Sequence, residues 1–122
     1  MKTKNILAWI IAVLLSLAFL MAGITKITGQ AEMVLNFERW GISKNMMYFI
    51  GLCEIAAAVG MYLKKWRALA AIGLALLLLG AIGTHIRVGE PFIPPLVLLI
   101  LSGLLVWLRK EELLNLRKQG FK

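Results

Sequence analysis

The sequence predicts an all-α fold: a four-helix transmembrane bundle, both termini cytoplasmic, with a short amphipathic helix between the first and second spans. Three observations carry that prediction. First, 61% of the 122 residues are hydrophobic and only 16% charged, with a mean hydropathy of +0.84, whereas soluble domains are about 45–50% apolar. Second, four apolar stretches stand out, at about residues 6–24, 46–63, 68–86 and 92–108. Each has roughly the length that a helix rising about 1.5 Å per residue needs to cross a hydrocarbon core about 30 Å thick. Third, the cations are unevenly placed. Of the 14 Lys and Arg residues, ten lie before the first span, between the second and third, or after the fourth. The positive-inside rule assigns those segments to the cytoplasm. The spans occupy most of residues 1–122, which therefore read as a single membrane domain.

The first span follows Lys2 and Lys4. Its apolar run exceeds the 7–15 residues of a secretory signal, and Met21-Ala22-Gly23 is a poor cleavage site, so it reads as a retained span. The connection from Thr25 to Asn45 is long. Within it, Met33, Val34, Phe37 and Trp40 recur at helical spacing with Glu32, Asn36 and Arg39 between them, as in a helix lying in a membrane interface. The second span, Met46–Leu63, contains Glu54, eight residues and hence about 12 Å inward. In the second and third spans, Ala56 with Gly60, and Gly73, Gly80, Gly83 with Thr84, offer small faces for close helix packing. Pro91, Pro94 and Pro95 open the fourth span, where a first turn tolerates proline; Pro95 is placed to bend the helix if it falls beyond that turn. The tail, Arg109–Lys122, pairs Leu113, Leu114 and Leu116 with charged residues and continues the fourth helix into the cytoplasmic interface, where anionic lipid favours its cations.

A net charge of +8 would suggest nucleic acid in a soluble chain. Here the cations flank the spans, no nucleic-acid element is present, and Trp9, Trp66 and Trp107 mark the cytoplasmic ends of spans as an aromatic belt does. The chain reads as a multi-pass protein of the cell membrane. Its one cysteine, Cys53, excludes an internal disulfide and a self-contained dithiol cycle. With one histidine and no second soft or imidazole ligand, the sequence offers no metal site, no pair of axial haem ligands and no intrinsic cofactor.

Glu54 is the anomaly. A charged side chain at the centre of a membrane helix costs on the order of 2.5–3.5 kcal/mol on insertion scales, so it normally faces the bundle interior with a partner. Lys26, His85, Arg87 and Tyr48 are the candidate site residues that share its half of the bundle, and Glu90 opens the fourth span at the same face. Lys26 is the preferred partner, because a flexible ammonium can reach down from the adjacent helix. A fixed ion pair and a proton-carrying carboxyl are both open at this point.

Several of these residues carry a resemblance. Ala22-Gly23-Ile24-Thr25-Lys26-Ile27-Thr28-Gly29 resembles the glycine–lysine signature that closes the first helix of DoxX-like membrane proteins. Phe37 and Gly41 continue it, and Gly51-Leu52-Cys53-Glu54 is similar to the Gly-x-x-Glu element of that family. Ala81 to Arg87 and the proline-opened fourth span are also similar, so the resemblance covers roughly residues 5–108. It implies a four-helix integral membrane protein of bacterial or archaeal type, with Lys26 and Glu54 as the matching polar positions and His85 and Arg87 beside them. Founding members are associated with quinol oxidase or thiosulfate:quinone oxidoreductase complexes. The implied role is an accessory subunit of a membrane oxidoreductase or quinone-linked system, with a bound quinone as the expected ligand, membrane oxidoreductase subunits as partners and a homo-oligomer also possible. Whether the chain is itself an enzyme is left open. So are two other functions: a small proton-coupled transporter, and a purely structural or assembly factor in which Glu54 and Lys26 form a dry pair without a cavity.

Overall fold

The computed structural model describes residues 2–63, 65–111 and 114. Their regular structure is five helices: α1 (Lys2–Ile27), α2 (Ala31–Trp40), α3 (Lys44–Gly60), α4 (Arg67–Val88) and α5 (Ile93–Leu108). The expected amphipathic tail falls largely outside the described residues, as does Lys64.

Local sequence explains where each helix stops. α1 ends at Gly29, whose φ of 66° turns the chain so that Gln30 donates to the Thr25 carbonyl at 3.1 Å. Gly41 and Gly89, each with φ 75°, close α2 and α4. Past them Ile42 donates back to the Phe37 carbonyl at 2.9 Å and Glu90 to that of His85 at 2.8 Å, the bond pattern of a left-handed glycine cap. Ser43 starts α3, its hydroxyl accepting from the Met46 amide at 3.2 Å, the usual duty of an N-cap serine. Pro94 and Pro95 both fall within the first turn of α5, where no amide has an intrahelical acceptor. The expected bend at Pro95 is therefore not required.

The four longer helices pack in a closed ring, α1 against α3, α3 against α4, α4 against α5 and α5 against α1. The core follows from the spacing of the inward residues: Ala8, Ile11, Ala12, Leu15 and Phe19 on α1 meet Ala58, Met61, Ala71, Leu74, Leu78 and Leu105. A buried polar contact crosses it, Ser16 donating to the Ala58 carbonyl at 3.2 Å. The outside is as apolar as the inside: Leu17, Met21, Leu76 and Ile100 are 58–72% exposed. Exposed Leu and Ile along every long helix would aggregate in water and are natural in lipid. Two helices, Thr3–Ile27 and Arg67–Val88, are long and apolar enough to cross a membrane. α2 and α3 together pass the same test but meet at 115°, so α2 lies across the end of the ring and does not extend α3.

α1 and α3 approach closely at Gly23 and Gly51, which the sequence marked as family motifs and not as packing glycines. A Cβ added at Gly23 would lie 2.6 Å from Ile55 Cγ1 and 2.7 Å from the Gly51 carbonyl oxygen; one added at Gly51 would lie 2.8 Å from Lys26 Cβ. By contrast Gly73, Gly80 and Gly83 have nothing within 4 Å of such an atom, and Ala56 is exposed. Only Gly60, 3.2 Å from Ala70 Cβ, serves the expected packing role. Overpacking costs about 1–3 kcal/mol, so Gly23→Ala should lower the thermal unfolding midpoint in detergent. Gly83→Ala, which meets only open space, should leave that midpoint unchanged or raise it through helix propensity.

Candidate functional site

The Gly23–Gly51 crossing decides what happens to the nearest charges. α1 and α3 run antiparallel, so the Lys26 side chain, folded back along its own helix toward the Ala22 carbonyl (3.5 Å), points down the α3 face that carries Glu54. Lys26 Nζ stands 2.9 Å from Glu54 Oε1, with the two side chains 11% and 8% exposed. Without the glycines the two backbones could not approach closely enough for so short and buried a pair. In low dielectric such a pair is held by charge and hydrogen bonding together, and each partner depends on the other to offset its desolvation.

The pair is not enclosed in close-packed core. It borders a cavity of about 450 Å³, within the range of small-molecule sites. Phe19 and Ile50 continue the α1 and α3 wall, and Leu77, Ala81, Thr84 and His85 supply the α4 wall. Met33, Asn36, Phe37 and Trp40 form a roof from α2. The amphipathic spacing read from the sequence is realised here: Phe37 is buried while Glu32, Glu38 and Arg39 are exposed. The purely structural reading expected no cavity beside Glu54 and Lys26; one is present.

The roof is held by a latch on Glu90. The glycine cap at Gly89 folds the chain back under the end of α4, which brings the Glu90 carboxylate beside His85. Its Oε1 accepts from Trp40 Nε1 at 2.8 Å and lies 3.1 Å from His85 Nδ1; its Oε2 pairs with Arg39. The Trp40 and His85 rings meet edge to face, with centroids 5.4 Å apart, a favoured aromatic geometry. Arg87 donates to the Trp40 carbonyl.

Of the candidate residues, Lys26, Glu54 and His85 therefore line the cavity. Arg87 does not; its guanidinium steadies the roof from outside. Tyr48 is also elsewhere. Six residues before Glu54 it points to a different side of α3, where its hydroxyl packs against Gly29 and its ring is 37% exposed. Sequence reasoning missed the roles of Glu90, Trp40 and Asn36. The available signal was an aromatic residue closing an amphipathic helix, and a carboxylate directly after a helix-ending glycine.

An apolar exterior on the described helices, and a largely apolar cavity with a buried ion pair on its wall and a roof at one end, define a small helical membrane protein. Its family follows from comparison: the DoxX-like family profile matches residues 10–107, and the chain belongs to that family. No curated protein and no solved structure gives a match.

Two outcomes follow from this geometry. Lys26→Met strands the Glu54 carboxylate and should cost about 3–5 kcal/mol of stability, the range for breaking one side of a buried pair. Lys26→Met with Glu54→Leu should recover most of it, as unfolding in detergent would show. The second concerns Glu90. Its hydrogen bond from Trp40, and beyond that the Arg39 and His85 charges, hold its carboxyl below the ordinary 4.5. A lowered pKa gives stability that is present above the unfolded value and lost as pH falls through the folded one. Loosening of the latch, read by Trp40 fluorescence, should therefore set in as the pH falls below about 4.5. Glu90→Gln should remove that acid transition.

Proposed function

We propose that the protein is an accessory subunit of a quinone-linked membrane oxidoreductase, and that its cavity receives the head group of a quinone-like, lipid-soluble molecule. In this reading all four long helices cross the cell membrane, both termini are cytoplasmic, and α2 lies at the outer face. The cation distribution and the tryptophan positions support that orientation. The observation that carries the functional reading is the Lys26–Glu54 pair bordering a cavity whose other walls are largely apolar.

The residues fit such a head group. A para-quinone presents carbonyl oxygens on a flat apolar ring, and its reduced form presents hydroxyls. Lys26 Nζ is a donor for a carbonyl, and Glu54 is an acceptor for a hydroxyl. Asn36, Thr84 and His85 add hydrogen-bonding capacity on the roof and the α4 wall. Phe19, Phe37 and Leu77 give the ring apolar surfaces to lie on. The bound quinone would supply two-electron redox chemistry in exchange with a partner subunit; this chain's residues bind, orient and exclude water.

Glu54→Gln tests the reading, because the amide oxygen still accepts from Lys26 while the negative charge is gone. The variant should insert into membranes at the wild-type level. Quinone recovered by mass spectrometry from protein purified in gentle detergent should fall about tenfold, the loss of one charge-assisted hydrogen bond, and quinone-linked turnover of the membranes should fall with it. Wild-type amounts of quinone in the variant, or none in either protein, would count against the proposal.

A further inference from the structure

The cavity beside Lys26 and Glu54 has one wall that reaches the outside of the bundle. Leu76 and Gly80 both line it, yet Gly80 is exposed and Leu76 is 64% exposed. Residues that border an interior space and the exterior at once mark where the wall is breached.

The breach lies along the seam between α3 and α4. At one end of that seam the helices touch: a Cβ added at Gly60 would lie 3.2 Å from Ala70 Cβ. Ala70, Leu77 and Thr84 follow at two-turn spacing, so one edge of α4 faces α3 along its length. Leu77 and Thr84 border the cavity from that edge, and Ile50 and Glu54 border it from α3. Beside the same edge, a Cβ added at Gly80 meets nothing within 4 Å. The two helices part toward the α2 end, and the space between them is continuous with the cavity.

Depth decides what this opening faces. α4 is long and apolar enough to cross a membrane. Counted from its end at Val88, Gly80 lies about 12 Å and Leu76 about 18 Å inward at helical rise, in a hydrocarbon core about 30 Å thick. The opening therefore meets acyl chains, down to the middle of the bilayer. A cavity of about 450 Å³ is in the lower half of the range for small-molecule sites. It holds a ring head group and leaves a long chain outside.

We propose that the α3–α4 gap is a lateral portal: the ligand enters from the bilayer, head group first, and its single apolar chain stays in the gap over Gly80 and Leu76. For the head group this rests on the quinone reading above; the chain and the route are what the portal adds. Gly80 is the threshold, because a branched side chain there would stand in the gap. Entry by this route leaves the Trp40–Glu90 latch closed, so the roof excludes water while the ligand exchanges with lipid.

The test uses the full chain in phosphatidylcholine nanodiscs with two probes that share a head group, decylubiquinone and the chainless ubiquinone-0. Binding is followed by stopped-flow quenching of Trp40 fluorescence in the cavity roof. Gly80→Leu should slow decylubiquinone association about tenfold, as a steric gate does, and leave equilibrium binding of ubiquinone-0 at the wild-type level. Gly83→Leu, at an exposed position with equally open surroundings outside the cavity lining, should slow neither. If Gly80→Leu does not fold, Leu76→Ala decides: it should quicken decylubiquinone entry, and a wild-type rate overturns the portal. A wild-type decylubiquinone rate in Gly80→Leu, or faster entry in the latch variant Glu90→Gln, also overturns it and leaves the quinone reading standing. Binding of neither probe to the wild type overturns the quinone reading and the portal together.

Discussion

The contact on which the rest of this structure depends is the close passage of α1 over α3 at Gly23 and Gly51. It sets the distance between two backbones, and that distance lets Lys26 reach Glu54 with both side chains almost fully enclosed. A carboxylate in an apolar helix is tolerable only with a partner, and a lysine beside lipid is tolerable only with somewhere to place its charge. Each solves the other's problem, and the glycines make the solution reachable. The cavity then exists because α4 stands back from the pair. Gly80 and Ala81 line it, so the α4 wall is low where the α1–α3 wall is charged.

A pocket with a charged floor needs a lid that tolerates both water and lipid, and α2 has that character. Its inward face is Met33, Phe37 and Trp40; its outward face is Glu32, Glu38 and Arg39. Two left-handed glycine turns, at Gly41 and Gly89, bring the ends of α2 and α4 together with Glu90 between them. The lid is thus tied at the far end of its helix, by Trp40 and Arg39, while its near end follows directly from α1.

Much of this was legible in the chain, and the reasons differ by residue. Hydrophobic period and glycine punctuation mark the helices to within a few residues, because both act locally. The amphipathic face of α2 was legible for the same reason. Glu54 stood out as a charge inside an apolar run, and Lys26 as the cation able to reach it. The packing glycines were not legible: Gly73, Gly80 and Gly83 have the same spacing pattern as true contacts but face open space. Which glycine meets a neighbour depends on helix rotation, which no local pattern encodes. Tyr48 was misplaced for that reason too. The Glu90 latch joins residues 50 positions apart, and only the folded chain brings them into one hydrogen-bonding group.

Below the roofed cavity lies the middle of the bundle, where Ala12, Leu15, Leu74 and Leu105 have no solvent exposure at all. In electrical terms that layer is an insulator. Apart from the buried Ser16 and Ser102 it is packed hydrocarbon, with the Lys26–Glu54 pair on one side of it. The two ends of the bundle are therefore separated within the fold, and in the proposed quinone-linked role each would meet its own acidity and ionic strength.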